Sequence, residues 1–439
     1  SAGATTIPAS AGYDKQEDYI IRELQKRFRR AQSSLDKVEG AVVDPIVFTT
    51  YQTYCMIRDL LYPAIAASDL LDECDELAML GGVIINQYDG SDYFQPLDFQ
   101  AIKKGGGLVF TEDLYTQTFG KKPILSGIAG DEDSVKDVLA QATLKTASLG
   151  KSFMSSLKQY FPSASTSKQT GDRVIKVLRN RGYTDKNSLF GASICSDEIN
   201  TCGDKNKCLF TFLKEEYGGG LGAFALGGLA GVPFVGKSGL GAYAHHVPDN
   251  NGKLLILYGP HVGIGSDGSV GKIQRVGLSK VSSACGAAIG AYKAIASAGA
   301  TPIPASTAGY DDEEDYIIGE LQKRFIRDPS ALDKGAAVDP ITFTTYQTYC
   351  MIRDLLYPAI AASDLLDECD ELAMLGGVII NQYDGSDYFQ PLDFQAIKKG
   401  GGLVFTEDLY TQTFGKKPIL SGIAGDEDSV KDVLAQVLL

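Results

Sequence analysis

Apolar residues first recur at i, i+3 and i+4 through Asp18–Phe28, the spacing of a helix with one buried stripe. The same spacing predicts helices over Phe48–Leu61 and Ile65–Met79, separated at Pro63, whose missing N–H interrupts a helix. Then the period changes. Gly81–Tyr88 and Ser91–Phe99 are apolar runs flanking Asp89-Gly90, a dipeptide suited to a tight reversal, and they predict a hairpin. Leu108–Phe110 predicts a further short strand, so this stretch reads as an α+β half-domain. Downstream, Val174–Arg181 predicts a helix closed by Gly182, and Leu189–Cys195 is a short apolar run. Residues 218–271 hold 16 glycines, too many for helix, and Pro233 and Pro248 imply fixed loops among them. Lys253–Tyr258 is the clearest buried strand and runs into Gly259-Pro260-His261. A helix of small residues over Ser282–Ala298 carries Cys285 in its first turn.

These elements repeat. Asp44–Gln141 matches Asp339–Gln436 at a constant offset of 295, and of the 98 positions only Val47 against Thr342 differs. The order is A–B–A, which divides the chain into residues 1–141, an orphan copy of a C-terminal half; 142–295, a unique core; and 296–439, the half that completes it. A long repeat enclosing a unique segment is no solenoid and reads as part of a tandem array. Ser1 then falls in a linker between units, an expected processing boundary, and no secretory pattern follows it.

Composition narrows the function. Against 55 acidic residues stand 41 basic ones, a net charge of −14, which opposes nucleic acid as a partner. No apolar run is long enough to span a membrane. Eight cysteines are too few for a disulfide scaffold. Four belong to the repeat (Cys55, Cys74, Cys350, Cys369) and sit in apolar helical patterns as expected core residues. The other four and all three histidines lie in the unique segment, which therefore carries the thiol and imidazole chemistry.

Within it, Cys195-x-Asp197, His261 after a buried strand, and Cys285 at a helix start form the pattern to explain. Two thiolates and an imidazole are a suitable ligand set for Zn²⁺, and a helix N-terminus favours the thiolate. Buried free cysteine as plain core stands beside that reading. Cys202 and Cys208 flank a charged loop as a local thiol pair or as ordinary residues, and His245-His246 reads as a structural loop pair. Gly236-Lys237-Ser238 has the tail of a phosphate-binding loop, but Pro233, Gly239 and Gly241 oppose the helix that loop needs. No Gly-x-Ser-x-Gly elbow of a serine hydrolase appears.

The stretches Leu189–Asn200, Gly228–Pro248, Tyr258–Gly263, Ser283–Gly286 and Gly376–Leu392 resemble the limiting-CO2-inducible protein B family of algae. The resemblance covers about residues 143 to 436, one whole unit made of the core and the second repeat copy. It is similar to a branch of the β-type carbonic anhydrases. That implies a mostly parallel α/β sheet flanked by helices and completed by the C-terminal α+β half. It implies Cys195, His261 and Cys285 as zinc ligands and Asp197 as a residue that ligates zinc or gates the water. One departure is local: the β-type enzymes carry an arginine two residues after the aspartate, where this chain has Ile199. The resemblance then leaves a distant arginine, Arg275 first and Arg179 or Arg181 after it. His245 or His246 could relay protons. The implied activity is reversible hydration of CO2 to bicarbonate within an algal carbon-concentrating mechanism. The implied place is the chloroplast stroma or pyrenoid periphery, and the implied assembly a homodimer or a pseudo-dimer through the repeated halves. The rival reading is a catalytically silent scaffold of that machinery; a zinc-dependent ester hydrolase is a third.

Overall fold

A computed structural model describes residues 19–26, 45–67, 70, 74, 76–86, 92–105, 108–119, 151–219, 222–275, 278, 280–299, 301–305, 312–327, 329, 339–382, 385–400 and 403–418. The described residues form two compact units, one over residues 19–119 and the other over residues 151–418. Among the described residues no helix is long and apolar enough to cross a membrane.

The first unit contains helix α1 (Pro45–Ala67), an antiparallel sheet of β1 (Leu77–Asn86), β2 (Asp92–Gly105) and β3 (Leu108–Asp113), and a short helix α2 (Tyr115–Phe119). The expected hairpin is present, with its turn outside the described residues. The split at Pro63 is not: one helix runs through it, and the segment expected to be helical up to Met79 is already strand from Leu77. The second copy does the same through Pro358, so one missing N–H ends this helix neither where its apolar positions are exposed nor where they are buried.

The second unit is built on an eight-stranded mixed sheet. Its path is β13 (Leu403–Asp408), β12 (Asp387–Gly400), β11 (Glu371–Gln382), β7 (Lys253–Gly259), β5 (Ser188–Ile194) and β6 (Phe224–Ala225). Two further strands join off that path: β4 (Ser165–Thr166) on β12 and β8 (His261–Ile264) on β11. Pairing among β11, β7, β8, β5 and β6 is parallel, and the antiparallel strands come mainly from the second repeat copy, which completes the sheet. β7 reads as an unbroken apolar run because both of its faces are covered. Leu254, Ile256 and Tyr258 face a core shared with α6 (Gly236–Ala244), α7 (Gly286–Ala298), α8 (Asp312–Arg327) and α9 (Pro340–Ala362). Leu255 and Leu257 face α4 (Ser167–Asn180) and α5 (Leu209–Tyr217) on the other side. Each such side chain contributes roughly 1.5–3 kcal/mol on leaving water.

Helix ends follow local chemistry. Thr166 and Gln169 form a capping box at the start of α4, and Gly182 takes φ +81° beyond its end, as the sequence predicted. The helix α6 contradicts the expectation that Gly239 and Gly241 forbid one. Tyr243 donates from its hydroxyl to the carbonyls of Leu189 and Leu255 at 2.8 and 3.1 Å, so tertiary bonds offset glycine's cost of about 1 kcal/mol per residue.

Arg179 and Arg181 serve the scaffold. Arg179 pairs with Glu216, and Arg181 grips the buried Glu371 from Nε at 2.9 Å and Nη2 at 2.7 Å. Burial raises the Glu371 carboxyl, but Arg181 and Lys398 outweigh it and hold the group below its ordinary 4.5. Because the folded value is the lower one, the stability it contributes is complete above the unfolded value and is lost as pH falls through the folded value. Glu371→Gln should cost about 2 kcal/mol, with partial solvent access to Arg181 taken into account, and should flatten the acid-side loss of stability below about pH 4.5. Urea midpoints from pH 3 to pH 7 check this; parallel curves for wild type and variant would refute the assignment.

Candidate metal centre

Cys195 directly follows β5, His261 opens β8, and Cys285 caps the start of α7. Helix α7 begins one residue after Cys285, so the thiol precedes the first turn rather than lying in it. All three therefore stand where parallel strands end and a helix begins, the usual place for a site in an open α/β sheet. A close approach of backbones puts His261 there. Gly259 adopts φ +146°, and a Cβ on it would lie 1.8 Å from the Gly377 carbonyl oxygen. Only glycine fits, and the kink it makes lets β7 pair with Glu371–Gly376 while β8 pairs further along with Ile379–Gln382.

The three ligand atoms lie within 4.8 Å of one another and all three residues are buried. The two sulfurs are 3.7 Å apart. Two Zn–S bonds of about 2.3 Å at a tetrahedral angle would set the sulfurs about 3.8 Å apart. The Nε2 of His261 is buried and has no hydrogen-bond partner among the described residues. Its other nitrogen, Nδ1, donates to the Asn381 carbonyl oxygen at 2.7 Å, which fixes the tautomer and leaves the Nε2 lone pair facing the sulfurs. Asn381 is fixed in turn: its amide donates to Asn200 Oδ1 at 3.3 Å and Asp387 Oδ1 at 2.9 Å. Asn200 closes the circuit by donating to the Cys195 carbonyl at 3.2 Å. An unpartnered imidazole nitrogen facing two thiols, with its orientation set from behind, fits a zinc site.

The charges fit as well. Hydrogen bonding from the Cys285 thiol lowers the Cys195 pKa, and His261 lowers it further, while the Cys195 thiolate raises Cys285. His261 is raised despite burial, because the Cys195 thiolate lies beside it. Asp197 Oδ2 lies 2.5 Å from Arg275 Nη2 and 3.7 Å from His261 Nε2. Burial raises the Asp197 carboxyl, but Glu198 and Arg275 together keep it below its ordinary range. Arg275 also donates to Glu198 at 2.9 Å and to the Ser283 carbonyl at 2.9 Å, so it ties the Asp197 loop to the strand leading into Cys285.

The structure thus brings together Cys195, His261, Cys285, Asp197 and Arg275. It does not bring His246 to them: that ring is exposed at the end of α6 and packs on Phe224 at 5.7 Å. His245 is likewise exposed, 3.9 Å from Asp364. Cys202 and Cys208 form a thiol pair, in which Cys208 donates to the Asn200 carbonyl at 3.0 Å and lowers Cys202 to about 7. None of the eight cysteines is in a disulfide. Sequence reasoning missed Asn381 and Asp387, because it assigned all the chemistry to the unique segment. The available signal was an asparagine closing the apolar run of a doubly covered strand.

A mostly parallel α/β sheet with a buried Cys-His-Cys group at its strand ends defines a carbonic-anhydrase-like protein. The chain belongs to the family described as limiting CO2-inducible proteins B/C beta carbonic anhydrases, matched over residues 164–398. PtLCIB4, described as a homolog of the limiting CO2-inducible protein LCIB, is 28% identical over 58% of this chain and 99% of its own, with a TM-score of 0.49. A histidine-to-alanine mutant of that protein aligns over 59% and 99% at 28% identity and a TM-score of 0.50. LCIB itself is 22% identical, over 58% and 98%, at 0.45. No curated protein matches the chain.

Removing the bond behind the imidazole should loosen metal binding. Asn381→Leu is expected to weaken zinc affinity 10–100-fold in chelator competition. Unchanged affinity would show that Asn381 does not orient His261.

Proposed function

We propose that the protein catalyses the reversible hydration of CO2 to bicarbonate at a Zn²⁺ ion held by Cys195, His261 and Cys285. The observation that carries this reading is the buried imidazole Nε2, without a hydrogen-bond partner, facing two thiols beside an arginine-paired aspartate. Zinc would supply the Lewis acidity that lets water ionise near neutral pH.

The remaining work falls to side chains. Cys195 and Cys285 offer two buried sulfurs on fixed backbone, so the ligand set is in place before any substrate arrives. Asn381 holds the His261 ring in one orientation and one tautomer. Asp197 is kept charged by Arg275 and Glu198, and an ionised carboxylate at this place accepts a hydrogen bond from water and orients it. While Arg275 holds Asp197 at 2.5 Å, the carboxylate is not available as a fourth ligand. Hydration releases one proton. His246 is exposed and packs on Phe224, so buffer in solution takes that proton in this mechanism. The scaffold reading drew on Ile199 standing where an arginine belongs; Arg275 pairs with Asp197 from another loop instead.

Zinc analysis and stopped-flow CO2 hydration test the proposal. The wild type should contain about one zinc per chain and hydrate CO2. Cys195→Ser should lose both metal and activity, and Arg275→Ala should keep zinc but lose 10–100-fold in rate. A zinc-free wild type, or full activity in Cys195→Ser, would overturn it.

A further inference from the structure

Two nearly identical stretches of chain occupy different surroundings, and the second shows what the first lacks. In the second copy, β11 is sealed by the core. One of its edges pairs with β12, and the other pairs in parallel with Lys253–Tyr258 and then with His261–Ile264. In the first copy, β1 pairs with β2 and, among the described residues, forms the edge of its sheet. The apolar positions differ accordingly: Ile57 is 55% exposed and Ile352 0%, Leu80 52% and Leu375 0%, Ile84 62% and Ile379 1%. A long apolar edge strand left open is a template for another strand.

The second copy also shows the anchor of that contact. Tyr258 of the core crosses directly over Gly376, where a Cβ would come within 2.3 Å of its ring. Its hydroxyl donates to the buried Asp393 at 2.8 Å, and its ring stacks on Tyr349 at 5.8 Å between centroids. The first copy repeats every receiving residue: Gly81 for Gly376, Asp98 for Asp393, Tyr54 for Tyr349. There Tyr54, Ile57, Leu61, Gly81, Phe94 and Asp98 line an open groove.

We infer that the face formed by α1, β1 and the start of β2 is a docking surface for a second core segment of the Lys253–Ile264 type, supplied by another copy of this chain. The incoming strand pairs in parallel with the edge of β1, and its tyrosine takes the place over Gly81 that the Tyr54 ring now fills, directed towards Asp98. Asn86 then stands where Asn381 stands in the second copy. The inference rests on sequence identity and on the second copy's packing, not on zinc or catalysis. Each chain holds two receiving faces and one core, so a core becomes available only when a partner's own second copy is displaced.

The experiment opens a core deliberately. A full-length chain carrying Ile84→Asp and Ile379→Asp has both receiving faces spoiled and its core strands uncovered. It is co-refolded with the full-length wild type, and masses are read by native mass spectrometry. Amide exchange is followed at residues 253–264. A 1:1 two-chain complex is expected, with slow exchange at 253–264 restored in the double variant, and the complex should vanish when the partner carries Ile84→Asp. Single-chain masses only, with residues 253–264 exchanging as fast in the mixture as in the double variant alone, would overturn it.

Discussion

The structure depends on one register: β11 lying parallel to β7 for six pairs and then to β8 for four. That alignment requires two chains to pass at Gly259 and Gly377, closer than any side chain allows. It has two consequences at once. The kink turns His261 out of the line of β7 and into the crevice at the strand ends. The pairing carries Asn381 along β11 to the Nδ1 of the same imidazole. Core packing and ligand orientation are therefore set by the same backbone contact, and neither can shift without the other.

The site is correspondingly two-sided. The unique segment supplies the three potential ligands, together with Asp197 and Arg275. The repeated half supplies the asparagine behind the histidine and the buried Asp387 behind the asparagine. Burial pushes the Asp387 carboxyl well above the ordinary carboxylate range, against the hydrogen bond it accepts from Asn381. Arg275 provides positive charge beside the centre, tied to Asp197, Glu198 and the Ser283 carbonyl.

The two repeat copies separate intrinsic from contextual structure. Both form a long helix, a three-stranded antiparallel meander with a bulge at its Gly-Gly pair, and a one-turn helix. These elements follow from local pattern and survive a change of neighbours. Burial does not: Ile84 and Ile379 have identical flanking sequences and opposite exposure. The Gly-Gly pair is required in both settings: a Cβ on Gly82 or Gly377 would lie 2.3 Å from the carbonyl of the paired strand, while the ring over the first glycine is Tyr54 in one copy and Tyr258 of the core in the other.

The sequence by itself determined the repeat, the strand Lys253–Tyr258, the hairpin, and the confinement of cysteine–histidine chemistry to the middle of the chain. Periodicity and residue type are local properties and can be read without coordinates. It also pointed to Cys195, His261 and Cys285, through their places at strand and helix ends. The sequence ranked Arg275 ahead of Arg179 and Arg181, but only the tertiary structure shows the loop that returns it to Asp197 across 78 residues. Only it found Asn381, which lies 120 residues from the histidine it orients. It also decided that α6 is a helix despite its glycines, where the bonds from Tyr243 to Leu189 and Leu255 outweigh a local preference worth about 1 kcal/mol per glycine.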